Sequence, residues 1–225
     1  MRTKFIYSLI LMSILFYACK KDEDVNETLF FGYQYIPIHE GDERFYQVDS
    51  IIYDDFTGLV DTVRFQLLEQ VEGIFVNLEG NQAFRTLLFQ RKNDTSNWVL
   101  QKVFEQRVNS LRYERRMDNQ LNIQLVFPIQ NDKRWNANAL NNLSEEEYYY
   151  NSLHESFQLG DKLFDSTVTV IQRREENLIR RKNTQEKYAS NYGLVYRYDE
   201  DLETDFDGTI QAGYKVTVKL DSISF

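Results

Sequence analysis

Apolar and polar side chains alternate with a period of two through most of this chain. Between Val60 and Val71, Val63, Phe65 and Leu67 fall on one side and Arg64 and Gln66 on the other, the pattern of a strand with one buried face. The alternation is cleanest near the C-terminus. There Tyr214, Val216, Val218 and Leu220 interleave with Lys215, Thr217, Lys219 and Asp221. The first four are expected to point inward, with Gly213 to Ile223 paired beside Gly193 to Tyr198. Leu111, Tyr113 and Met117 set against Arg112, Glu114 and Arg116 predict one arm of a hairpin; Trp98 to Val108 is the other, around Asn109-Ser110. Further strands are expected at Arg44 to Tyr53, Phe75 to Leu78, Ala83 to Lys92, Leu121 to Phe127 and Leu163 to Gln172. Between them Asp54 to Gly58, Glu72-Gly73, Asn93 to Asn97 and Asp118-Asn119 are turn formers. Asp199 to Gly208 reads as an acidic loop.

Two stretches fit more than one element. Ser144 and Glu147 stand at capping-box spacing, but Tyr148-Tyr149-Tyr150 and Phe157 favour a strand from Glu146 onward. Leu178 to Tyr188 suits helix or strand, and its neighbours favour strand. Pro37 cannot donate to a central ladder, so the segment from Leu29 to Pro37 is a lead-in or an edge. Strands at this spacing, joined by short polar turns, predict an antiparallel meander. The fold class is therefore all-β in a single domain. It is built as a strongly curved sheet or half-barrel, or as a two-sheet sandwich. Closure is favoured because open edges invite pairing with other chains.

The N-terminus departs from this pattern. Arg2 and Lys4 precede an apolar run from Phe5 to Tyr17, followed by Ala18 and the only cysteine, Cys19. This is the layout of a secretory signal peptide. The run is shorter than the ~20 residues that span a bilayer. The segment resembles the lipobox of bacterial lipoproteins, although Leu15 lies one place further back than the usual leucine and Phe16 and Tyr17 are bulkier than usual. The resemblance implies cleavage before Cys19 and acylation of its thiol and its new amino terminus. More than one acyl chain anchors stably. Lys20-Lys21-Asp22-Glu23-Asp24 resembles the charged signal that follows the cysteine in surface-exposed Bacteroidetes lipoproteins; it also suits a plain solvated tether. The expected organisation is 1–18 signal peptide, 19–28 lipidated cysteine and flexible tether, and 29–225 all-β domain.

The remainder resembles a group of uncharacterised Bacteroidetes envelope lipoproteins. The matching pieces are Phe45-Tyr46-Gln47-Val48-Asp49-Ser50-Ile51, Phe127-Pro128-Ile129 with Trp135-Asn136-Ala137-Asn138, and Tyr192-Gly193-Leu194-Val195-Tyr196. That resemblance implies an all-β envelope protein and supplies no catalytic residue. A formal net charge of −9 repels phosphate backbones and argues against a nucleic-acid partner. With Cys19 acylated no thiol remains for a disulfide.

Candidate chemistry is sparse. His39 and His154 stand far apart, and no metal-binding spacing, phosphate-binding glycine loop or nucleophile elbow occurs. No metal and no cofactor is expected. Glu203, Asp205, Asp207 and Gly208 open like a calcium loop, but Tyr214 stands where the bidentate Glu is required. Trp98, Trp135, Tyr148, Tyr149 and Tyr150 are candidate ligand-binding aromatics, able to stack on a glycan or to serve as core. Ser50, Thr62, Ser166 and Ser222 lie in Asp-Ser/Thr-apolar triplets. These resemble the O-glycosylation acceptor of Bacteroidetes envelope proteins, and alternating strands also generate them. The expected protein is a lipid-anchored envelope component, held to the outer membrane through Cys19, with a non-catalytic binding or structural role and a glycan or an envelope protein as its candidate partner. The alternatives are a glycan-binding accessory of a surface uptake system and a hydrolase working through two carboxylates.

Overall fold

In a computed structural model of the chain, residues 31–224 are described; the expected signal peptide, Cys19 and the expected tether lie outside them. A single 3-10 turn, Tyr33–Tyr35, precedes twelve strands: β1 Glu43–Tyr53, β2 Val60–Val76, β3 Gln82–Arg91, β4 Val99–Val108, β5 Arg112–Met117, β6 Gln120–Val126, β7 Arg134–Asn136, β8 Glu147–Leu159, β9 Lys162–Glu176, β10 Arg180–Ala189, β11 Gly193–Thr204 and β12 Ile210–Ser224. No α-helix occurs among the described residues. The strand from Glu146 onward and the strand reading of Leu178 to Tyr188 appear as β8 and β10.

All twelve strands belong to one sheet, in the order β6-β5-β4-β3-β2-β1-β12-β11-β10-β9-β8-β7. The fold is all-β, and this one antiparallel sheet is nearly closed into a barrel. Of the two arrangements expected, the curved sheet is the one adopted. The chain never crosses to a second layer, because every strand pairs with its neighbour in sequence except β6 and β7, which form the two ends of the sheet. The one long-range pairing joins the first strand to the last, with Val48 opposite Val218 and Tyr46 opposite Leu220. Asp49 marks this junction. It takes Lys219 Nζ of β12 at 3.0 Å and Arg64 Nε of β2 at 3.1 Å, and the Lys219 hydrogen bond leads in holding its carboxyl below the usual range.

The interior is filled. Tyr46, Phe164, Ala189, Val195 and Leu220 form one apolar cluster. Beside it, side chains from β1, β2, β4, β5 and β10 converge on a cavity of about 20 Å³ lined by Tyr46, Glu69, Gln106, Tyr113, Arg115 and Tyr188, room for about one water molecule. Burial pushes the phenols of Tyr46, Tyr113 and Tyr188 upward, and nearby carboxylates add to it. Their hydroxyls are satisfied internally: Tyr113 donates to Gln106, Gln106 Nε2 to Thr86 Oγ1 at 2.8 Å, and Tyr188 to Glu186 at 2.5 Å.

Three local expectations are corrected. Glu72-Gly73 does not end a strand: β2 runs on to Val76 through a bulge, and Gly73 pairs with Arg85. A bulge absorbs one extra residue without breaking the ladder. The acidic stretch is not a loop from Asp199 onward. β11 continues to Thr204 because β10 offers partners: Thr184 Oγ1 donates to Asp199 at 2.9 Å, and Arg180 meets Asp201 with two bonds of 3.1 Å. Finally, Leu220 is buried, Val216 and Val218 are half-buried, and Tyr214 is exposed. All four share a face of β12, but the strand overruns the packed interior, so the face loses its cover toward Tyr214.

Two outcomes follow from this geometry. Gly58 and Gly213 both have positive φ, at 66° and 118°. A Cβ at Gly58 meets open space, whereas one at Gly213 would sit on the Asp201 carbonyl. Gly58→Ala should cost about 1–2 kcal/mol of unfolding free energy and Gly213→Ala clearly more; equal losses in urea titrations would contradict the close packing of β11 on β12. The second outcome concerns pH. A carboxylate whose folded pKa lies below its unfolded value of about 3.9 adds stability above that value and loses it as pH falls through the folded pKa. Asp49→Asn should lower the urea midpoint at pH 7, and the gap from the parent should close on acidification below about pH 4. A gap that persists at low pH would rule out the ion pairs as its source.

Candidate functional site

A rolled sheet leaves its first and last strands facing each other, each with unpaired backbone groups. Here β6 meets β7 and β8, and side chains complete the ladder. Ile123 N–H donates to Ala137 O at 2.9 Å. Trp135 Nε1 donates to Ile123 O at 3.0 Å. Tyr150 Oη both accepts from Val126 N–H at 3.0 Å and donates to Val126 O at 2.8 Å. Asn141 Nδ2 donates to Leu121 O at 3.0 Å, and Asn122 Nδ2 to Asn138 Oδ1 at 2.7 Å.

This seam holds most of the candidate aromatics. Trp135, Tyr148 and Tyr150 are brought together and buried, with Trp135 and Tyr150 ring centroids 4.8 Å apart. Burial raises the Tyr148 and Tyr150 phenols. Tyr149 points the other way, half-buried under the Arg134 guanidinium at 4.5 Å. Trp98 belongs to none of this.

Trp98 lies on the far side of the molecule, at the start of β4, where the turn from Asn93 brings the chain back beside β1, β2 and β3. It is half-buried. The Arg91 guanidinium stacks on its ring at 4.4 Å, and Phe45 lies 6.1 Å away, tilted by 53°. Arg91 Nε donates to Gln66 Oε1 at 2.5 Å and Nη2 to Asp94 Oδ1 at 2.6 Å; Gln66 Nε2 donates to the same Asp94 oxygen at 3.1 Å. Together with Gln47, Asp221 and Ser222 these residues line a groove of about 330 Å³. It combines an aromatic wall with planar polar groups held in place by hydrogen bonds. Sequence reading marked Trp98 and missed Phe45, Gln66, Arg91 and Asp94, which come from separate segments and carry no spacing motif. Register was the available signal: Gln66 stands opposite both Gln47 and Arg91.

The remaining candidates are dispersed. Among the described residues no three His, Cys, Asp or Glu side chains are placed to hold a metal ion. His39 is exposed beside Asp42, at 3.5 Å. His154 Nδ1 lies 3.4 Å from Ser166 Oγ and 3.3 Å from Tyr35 Oη. Asp205 and Asp207 fold the β11–β12 turn: Asp207 Oδ1 accepts from Thr209 N–H at 2.9 Å, and these bonds lower its pKa. Thr62 and Ser222 are exposed, Ser50 is half-buried within β1, and Ser166 Oγ is 2.8 Å from Tyr35 Oη. Hydrogen bonds hold the carboxyls of Asp49, Asp54, Asp201 and Asp207 below the ordinary range.

No protein-family model matches the chain and no curated protein matches it. Two solved structures are similar in outline. One is a Bacteroides fragilis chain described as an exported protein with a YmcC-like fold, 13% identical over 88% of this chain and 100% of that one, with a TM-score of 0.44. The other is a Parabacteroides distasonis chain described as a lipoprotein, 11% identical over 84% of this chain and 98% of that one, with a TM-score of 0.43.

The seam is open to direct measurement. Tyr150→Phe keeps the ring and removes the oxygen that serves both Val126 groups. Leaving buried polar groups without partners should cost about 1–3 kcal/mol, seen as a lower urea midpoint with an unchanged slope. Tyr149→Phe should be close to neutral. Equal effects would show that Tyr150 contributes only its ring.

Proposed function

We propose that this chain is a lipid-anchored envelope protein, held to the outer membrane through Cys19, whose role is to bind rather than to catalyse. The observation that carries the binding role is where free space lies. The interior is packed around a cavity of about 20 Å³, while the groove at Trp98, of about 330 Å³, opens on the outer surface. A ligand therefore meets the outside of the barrel. The anchor rests on the sequence: a basic head, an apolar run, Ala18 and the sole cysteine, followed by a charged tether. Acylation at Cys19 would confine the domain to the membrane surface.

The anchor is tested by fractionation. The parent chain should sediment with membranes and incorporate labelled palmitate. Cys19→Ala should take up no label and move to the soluble envelope fraction. A Cys19→Ala chain that stays with the membrane would show that another part of the protein holds it there.

A further inference from the structure

We infer that the groove at Trp98 takes an uncharged oligosaccharide; this rests on reading that groove as the binding site. The inference starts from charge. Among the described residues Arg91 is the only cation lining the groove, and Asp94 already neutralises it at 2.6 Å. Asp221, also in the lining, is acidic. An anionic ligand such as a phosphate ester would therefore meet no unpaired positive charge. An apolar ligand would strip water from Gln47, Gln66, Asp94 and Asp221 and give no hydrogen bond in return, a loss of affinity at each group. A chain of sugar rings satisfies both conditions. Its C–H faces can lie on Trp98 and Phe45, and its hydroxyls can bridge to amide and carboxylate groups in pairs.

The site is also held in shape. The Gln66, Arg91 and Asp94 side chains are bonded to one another, and Arg91 fixes the Trp98 ring from one side. Few rotamers remain to be frozen on binding, which removes part of the usual entropy loss. A volume of about 330 Å³ suits roughly one or two rings, with the rest of the chain running out into solvent. The groove beside Phe75 and Leu78, at the end of β2, differs. Its apolar wall is Phe75, Val76 and Leu78, with no indole on which a sugar ring could stack.

The two tryptophans supply both reporter and control. The full chain, labelled with 15N and held in lauryldimethylamine oxide micelles (a detergent with no sugar headgroup), should give two indole N–H signals. Loss of one in Trp98→Phe assigns them. Maltotriose, cellotriose, laminaritriose and tri-N-acetylchitotriose are titrated to about 10 mM, the weak end of specific recognition. At least one should shift the Trp98 signal saturably and leave that of Trp135, bonded in the seam, where it was. Asp94→Asn should weaken that binding about tenfold, and Trp98→Ala should abolish binding measured by calorimetry while the Trp135 signal stays in place. If none of the four moves Trp98 but benzyl alcohol does, the carbohydrate inference is overturned and the groove stands as a site. If neither moves it, both readings fall. Equal binding by Trp98→Ala would also overturn the inference.

Discussion

Everything in this fold depends on closing a sheet whose two end strands are too unequal to zip together. β6 has seven residues and β7 three, so a regular ladder between them cannot cover the groups that β6 presents. The chain meets the shortfall with side chains that imitate a strand. Tyr150 supplies one oxygen that acts as both acceptor and donor for Val126. Trp135 and Asn141 reach the carbonyls of Ile123 and Leu121. Each substitution of a side chain for a backbone group keeps buried polar atoms paired, which buried groups require.

Closure then fixes what the interior can hold. Once the sheet is rolled, strands far apart in sequence face each other across a narrow space. The tyrosines of β1, β5 and β10 fill it, along with Arg115 and Glu69. Arg115 approaches Glu69 at 3.8 Å and lies over Phe104 at 5.0 Å. Large amphipathic side chains suit such a space, because they fill volume while their polar tips find partners. The abundance of tyrosine in the sequence has this physical use. The consequence is that the interior keeps room for about one water molecule, while the larger free volume lies at the surface.

The strands were legible because alternation is a local property. β12 could be read from Tyr214, Val216, Val218 and Leu220 alone, and its pairing with β11 from their nearness in sequence across the acidic stretch. Its pairing with β1 is non-local and left no trace in the alternation. Glu72-Gly73 misled because a bulge and a turn use the same residues. Asp199 to Glu203 misled because acidity marks a loop only where no basic strand lies alongside. At the site, Trp98, Trp135 and the Tyr148–Tyr150 run looked alike, since residue type does not say which ring faces solvent. Burial in the seam separates them, and burial is a tertiary property. The partners of Trp98 are polar residues on three different segments, individually ordinary, and only the rolled register brings them together.

The groove at Trp98 draws its walls from the first strands and from the last, since Phe45, Gln66 and Arg91 face Asp221 and Ser222 of β12. No fragment that lacks β12 can form it. Recognition at this place is thus a report on completion: a chain still emerging, nicked before its final hairpin, or refolded with the last strand out of register presents Trp98 on an unfinished surface. On the proposed reading, the groove becomes competent only when the two terminal strands have met.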